Sequence, residues 1–108
     1  MALIKTLHVD QGADFFLAIE ISYDEGDLVD LEGYILESQI RKTYSSNTFY
    51  SFETSIEDNI CNFTLSANTS ASMEPGKYVY DCLLTDPDNI KTRIMEGSII
   101  ISPQVTKE

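Results

Sequence analysis

Glu74-Pro75-Gly76-Lys77-Tyr78-Val79-Tyr80-Asp81-Cys82-Leu83-Leu84 reads as a turn that runs directly into a strand. Tyr78, Tyr80, Cys82 and Leu84 recur at every second position, so an extended chain places them on one face. Lys77, Val79, Asp81 and Leu83 take the other. Pro75 and Gly76 are turn residues, the first by its fixed φ and the second by its freedom to take positive φ. Tyr78 follows Gly76 closely enough to bury its ring at the corner while its hydroxyl returns to nearby backbone. Gly76 and Tyr78 are therefore structural residues, and neither carries chemistry.

The same alternation extends outward in both directions. Leu3 to Val9 reads as an edge strand and Asp10-Gln11-Gly12 as a turn. Phe15, Leu17, Ile19, Ile21 and Tyr23 form an inward row, with Ala18, Glu20 and Ser22 outside. A turn is expected at Asp24-Glu25-Gly26-Asp27, and a strand in which Tyr34, Leu36 and Ile40 alternate with Ile35, Glu37 and Gln39. Gly33 suggests a bulge at its start. After a polar loop, Tyr50, Phe52, Thr54 and Ile56 oppose Ser51, Glu53, Ser55 and Glu57 in a half-buried strand. Asp58-Asn59 makes a tight turn into Cys61, Phe63 and Leu65. Ser66 to Ser72 is a small-residue crossing between sheets with room for one helical turn. Beyond the Tyr78 strand, Asp86-Pro87-Asp88-Asn89 forms a hairpin turn, and Ile90 to Ser102 returns antiparallel with a bulge expected at Gly97. Seven to eight antiparallel strands with a tyrosine corner describe an all-β, immunoglobulin-like β-sandwich, a single domain over residues 1–108.

Eighteen acidic residues against seven basic ones give a net charge of −11, a field that repels phosphate backbones and anionic headgroups. Neither nucleic acid nor membrane is an expected partner. No apolar run approaches the roughly 20 residues of a membrane helix, and Met1 to Asp10 lacks a signal peptide's apolar core, so a cytosolic or trimmed chain is expected. Cys61 and Cys82 are the two thiols. The segment from Asp14 to Asp24, where an antibody-type disulfide would begin, has no cysteine, so both read as reduced core residues.

Catalysis finds little support. His8 is the single histidine and lies near an edge strand, and no nucleophile motif accompanies it. Close carboxylate pairs follow from composition alone. Asp24, Glu25, Asp27 and Asp30, or Asp86, Asp88 and Asn89, offer oxygen ligands for calcium, but Asp and Asn are equally the usual turn formers and neither set is an EF-hand loop. No metal, cofactor or enzyme activity is expected. Asn62-Phe63-Thr64 and Asn68-Thr69-Ser70 fit the glycosylation triplet, which arises often by chance. The segment from Ser38 to Tyr44 is more unusual, because it sets Arg41 and Lys42 beside polar and aromatic groups. Arg41, Lys42, Tyr44, Phe49 and Tyr50 are the candidate partner contacts, against the alternatives of a solvated strand end and buried aromatics.

Three stretches together resemble a known family: Asp30-Leu31-Glu32-Gly33-Tyr34 leading to Ser38-Gln39-Ile40-Arg41-Lys42, the corner run Pro75 to Asp81, and Arg93-Ile94-Met95-Glu96-Gly97 continuing to Ser102-Pro103-Gln104-Val105-Thr106. The set is similar to small virion structural proteins of tailed bacteriophages, of the marine myovirus type, and covers nearly the whole chain. The corner alone occurs in many sandwiches; its combination with the other two narrows the choice. The resemblance implies a noncatalytic tail, neck or baseplate component, localised to the virion and assembled in the bacterial host cytoplasm. Its partners would be other virion proteins, with a homo-oligomer plausible by symmetry. It carries over no catalytic residue. A carbohydrate-binding or adhesion module, calcium-assisted through the acidic turns, is the alternative.

Overall fold

The computed structural model describes residues 3–21 and 31–105. Strands β1 (Leu3–Ile4), β2 (Leu7–Asp10), β3 (Phe15–Glu20), β4 (Ile35–Arg41), β5 (Tyr50–Ser51), β6 (Glu53–Glu57) and β7 (Ile60–Leu65) precede one short helix, α1 (Ala67–Ser72). Strands β8 (Gly76–Thr85) and β9 (Lys91–Ser102) follow it. They form two sheets. One runs β1-β9-β8-β4-β5 with β2 also on β9, and the other runs β3-β7-β6. The chain is an all-β sandwich with the strand order of the immunoglobulin-like arrangement, three strands facing the β9-β8-β4 set.

Between the sheets lies one core. Leu36, Ile40, Cys61, Phe63, Leu65, Tyr80, Cys82, Met95, Ile99 and Ile101 are buried from the inward positions of their strands, and Phe52 joins them from the residue between β5 and β6. Phe15, Leu17, Ile19 and Ile21 pack against it from β3 and the residue following it. Tyr23 and the acidic turn Asp24 to Asp27 lie outside the described residues. Cys61 and Cys82 are free and buried. Burial pushes the Cys82 thiol up to about 11, with the Ser38 contact pulling the other way. Ser38 Oγ donates to the Asp81 carbonyl at 2.8 Å and lies 3.2 Å from Cys82 Sγ.

Three local features depart from the alternation. The N-terminal strand is interrupted at Lys5 and Thr6, and both of its pieces pair with β9 in parallel. Gly33 is not a bulge: with φ of 83° it sits in the turn closed by Tyr34 N–H donating to the Leu31 carbonyl at 3.1 Å. The bulge expected at Gly97 lies nearby but not there. Gly97 pairs with Tyr80, and the register slips where Cys82 faces Met95 and Leu83 faces Arg93, leaving Ile94 as the extra residue. Ile94 and Met95 can then both turn toward the core. Gly97 instead makes room, because a Cβ there would overlap the Lys5 carbonyl oxygen. That oxygen accepts the Tyr80 hydroxyl at 2.7 Å.

The corner closes on the geometry that its sequence suggests. Tyr78 is buried and its hydroxyl donates to the Glu74 carbonyl at 2.9 Å, four residues upstream. Just before it, Ser66 caps α1 by accepting from Thr69 N–H at 3.2 Å. The helix ends at Met73, whose N–H returns to the Ser70 carbonyl at 3.2 Å. Between β7 and β8, the helix carries the chain from one sheet to the other.

Candidate functional site: an outward sheet face

Strands β4, β8 and β9 present an outward face built by the odd positions of β4 and β8. Cross-strand pairing aligns Glu37 with Leu83 and Arg93, Gln39 with Asp81 and Glu96, and Arg41 with Val79 and Ser98. These rows border a groove of about 380 Å³ that Tyr44 also lines. Its walls combine two arginines, two carboxylates and the half-buried Val79 and Leu83. Aromatic, arginine and apolar side chains mixed in this way are common in protein contact surfaces.

Each side chain at the Tyr44 end is held by an identifiable partner. Arg41 donates through Nη2 to Gln39 Oε1 at 2.8 Å and through Nη1 to the Ser46 carbonyl, which bends the loop back over the end of β4. Its guanidinium lies 4.8 Å from the centre of the Phe49 ring. Thr43 and Ser46 close the loop as a turn, with Ser46 N–H donating to the Thr43 carbonyl at 3.2 Å and Thr43 N–H to Ser46 Oγ at 3.1 Å. Tyr44 stands at the tip of that turn, 85% exposed. A ring so exposed contributes little to folding.

The candidate contacts therefore divide. Tyr44 and Arg41 line the groove. Phe49 is half exposed and supports Arg41 from beneath. Lys42 and Tyr50 belong to the corner: the Lys42 ammonium lies 4.6 Å from the centre of the Tyr78 ring, and Tyr50 meets Tyr78 edge-on at 6.3 Å. Tyr50 also donates to the Ser72 carbonyl at 3.4 Å. Gly76, with φ of 133°, leaves the space that Lys42 Nζ approaches. These contacts are structural. The wall residues Val79, Asp81, Leu83 and Arg93 were not among the candidate contacts. Their signal in the sequence is alternation itself, which puts them opposite the buried row of β8.

Arg93 bridges two carboxylates, Glu96 at 2.9 Å and Asp81 at 3.5 Å, and both hold its proton more firmly. The pairs are exposed and contribute little to stability. Arg41, by contrast, is satisfied by an amide oxygen and a carbonyl, so its charge is not matched by those bonds. At the other end of the strand pair, Asp86 Oδ1 accepts from the N–H groups of Asp88 and Ile90, at 3.0 and 2.8 Å. This is turn chemistry, and among the described residues no group of three or more His, Cys, Asp or Glu side chains is placed to hold a metal ion. No helix among them is long and apolar enough to cross a membrane. No family model matches the chain, and no curated protein matches it in sequence.

Proposed function

We propose that this chain is a noncatalytic structural module of a tailed-phage particle, in the tail, neck or baseplate, that docks other virion proteins on its β4-β8-β9 face. The observation that carries the docking reading is Tyr44, an 85% exposed aromatic on a groove where Arg41 is held by an amide oxygen and a carbonyl and has no salt-bridge partner among the described residues. Aromatic and arginine side chains of this kind are the usual anchors of protein interfaces. The virion assignment rests on the resemblance of three sequence stretches, and the acidic balance agrees with partners other than nucleic acid. Incorporation into particles tests it. Particles assembled with Tyr44→Ser should lose the protein while the soluble chain remains folded; unchanged incorporation would remove the face from consideration. Calcium should leave its melting temperature unchanged, whereas an increase at millimolar calcium would favour the adhesion module instead.

A further inference from the structure

The opposite face of the sandwich has a different character. Outward positions of β3, β7 and β6 bring Glu20, Glu53 and Glu57 to one surface, and among the described residues of those rows there is no basic side chain. Two large apolar groups stand among them: Ile60, half-buried between Glu20 and Glu57, and Phe16, 66% exposed, in register with Thr64 and Glu53 across the sheet. Most of the Phe16 ring is left in water by the fold, so covering it would add apolar contact area to an interface. On the far side, the β4-β8-β9 face carries both signs of charge, with a groove of about 380 Å³ in which Val79 and Leu83 lie among Arg41, Arg93, Glu37 and Asp81. Among the described residues Arg41 has no salt-bridge partner.

We propose that a second copy of this chain seats its Phe16 in that groove, with its Glu53 toward Arg41, so that copies stack face to opposite face. This deepens the docking reading and rests on it. Charge favours the arrangement, because an acidic face then meets one that carries both signs. Two β3-β7-β6 faces would oppose carboxylates to carboxylates, and two β4-β8-β9 faces would leave Phe16 exposed on both copies. A contact between different faces is heterologous, and repeats of it close into a ring or continue as a stack. Either outcome is compatible with a repeated particle component.

Sedimentation velocity of the full chain over a concentration series tests the stacking. The weight-average mass should rise with concentration, and Phe16→Ser and Tyr44→Ser should each weaken association by about tenfold or more. Mixing the two variants is the decisive arm. Phe16→Ser keeps an intact groove and Tyr44→Ser keeps an intact Phe16, so an equimolar mixture should form a dimer that grows no further. Circular dichroism checks that each variant is folded, with Phe16→Thr as the replacement if the serine variant is not. A wild-type chain that stays monomeric to about 1 mM would overturn the stacking. So would a variant that self-dimerises as tightly as the wild type, because one face would then be pairing with itself. Particle incorporation separates the two readings. If Tyr44→Ser is excluded from particles but Phe16→Ser enters normally, the groove takes a different chain and stacking is wrong while docking stands; if both enter normally, both readings fail.

Discussion

At Gly97 the backbone takes a φ of 152°, and the missing side chain is the space in which the Lys5 carbonyl lies. The same carbonyl receives the buried Tyr80 hydroxyl, so one glycine and one tyrosine seat the N-terminal strand on β9. Gly97→Ala should therefore cost about 2–4 kcal/mol through steric overlap and backbone strain, read as a lower urea midpoint. Hydrogen exchange should quicken first in Leu3 to Asp10. Burial also pushes the Tyr80 phenol up to about 12. Cys82 moves in the same direction, to about 11. Both are acids whose neutral form the fold favours, with ordinary values of 10.0 and 9.0, so their contribution is complete below about pH 9. It is lost as pH rises through 11 and then 12. Urea midpoints measured against pH should be level on the acid side of 9 and fall beyond it. Tyr80→Phe should flatten the upper part of that fall while costing about 1 kcal/mol at neutral pH for the lost bond to Lys5.

Phe52 is the residue at which the chain leaves one sheet for the other. Tyr50 and Ser51 pair with β4, whereas Glu53 to Glu57 pair with β7. Two bonds hold the crossing to β4: Phe52 N–H donates to the Ser38 carbonyl at 3.2 Å, and the Thr54 hydroxyl to the Leu36 carbonyl at 2.8 Å. The Phe52 ring meets Phe15, Phe63 and Tyr80, with centroids 6.1 to 6.5 Å away. Phe52→Ala should cost about 3–5 kcal/mol in equilibrium unfolding, since it empties the centre of the core. Helix α1 has its own anchor. The buried Ser70 hydroxyl accepts from Gly12 N–H at 3.0 Å and donates to the Ala13 carbonyl at 2.9 Å, tying the helix to the turn before β3. Ser70→Ala leaves that N–H without its partner and should cost about 1–3 kcal/mol by calorimetry.

Most of the element pattern was legible, because inward and outward residues alternate cleanly from Tyr50 to Leu65 and along β8. Alternation says nothing of strand direction, so the parallel pairing of β1 and β2 was not. Nor does it reveal that one continuous run, Tyr50 to Glu57, serves two sheets. The glycines misled for a related reason. Gly33 and Gly97 answer to partners distant in sequence, Pro87 and Lys5, while the actual bulge falls at Ile94, which has no glycine to announce it.

Over the whole molecule, charge is unevenly placed. Arg41, Lys77 and Arg93 stand on the β4-β8-β9 face beside Glu37, Asp81 and Glu96, while the β3-β7-β6 face carries carboxylates alone among its described charged residues. Such an arrangement gives a strongly acidic chain one near-neutral side on which a partner can settle without opposing the net field. The candidate contacts were partly legible: Arg41 and Tyr44 stood out as cation and aromatic in one loop, whereas the groove walls required the register between three strands. Quantitative mass spectrometry of purified particles, assembled with the wild-type chain or with Tyr44→Ser, tests the docking face in its own setting. The wild type should be present at a fixed copy number per particle, with the variant depleted about tenfold or more despite normal folding. Absence of the wild-type chain from intact particles, with folded protein left in the lysate, would contradict the account.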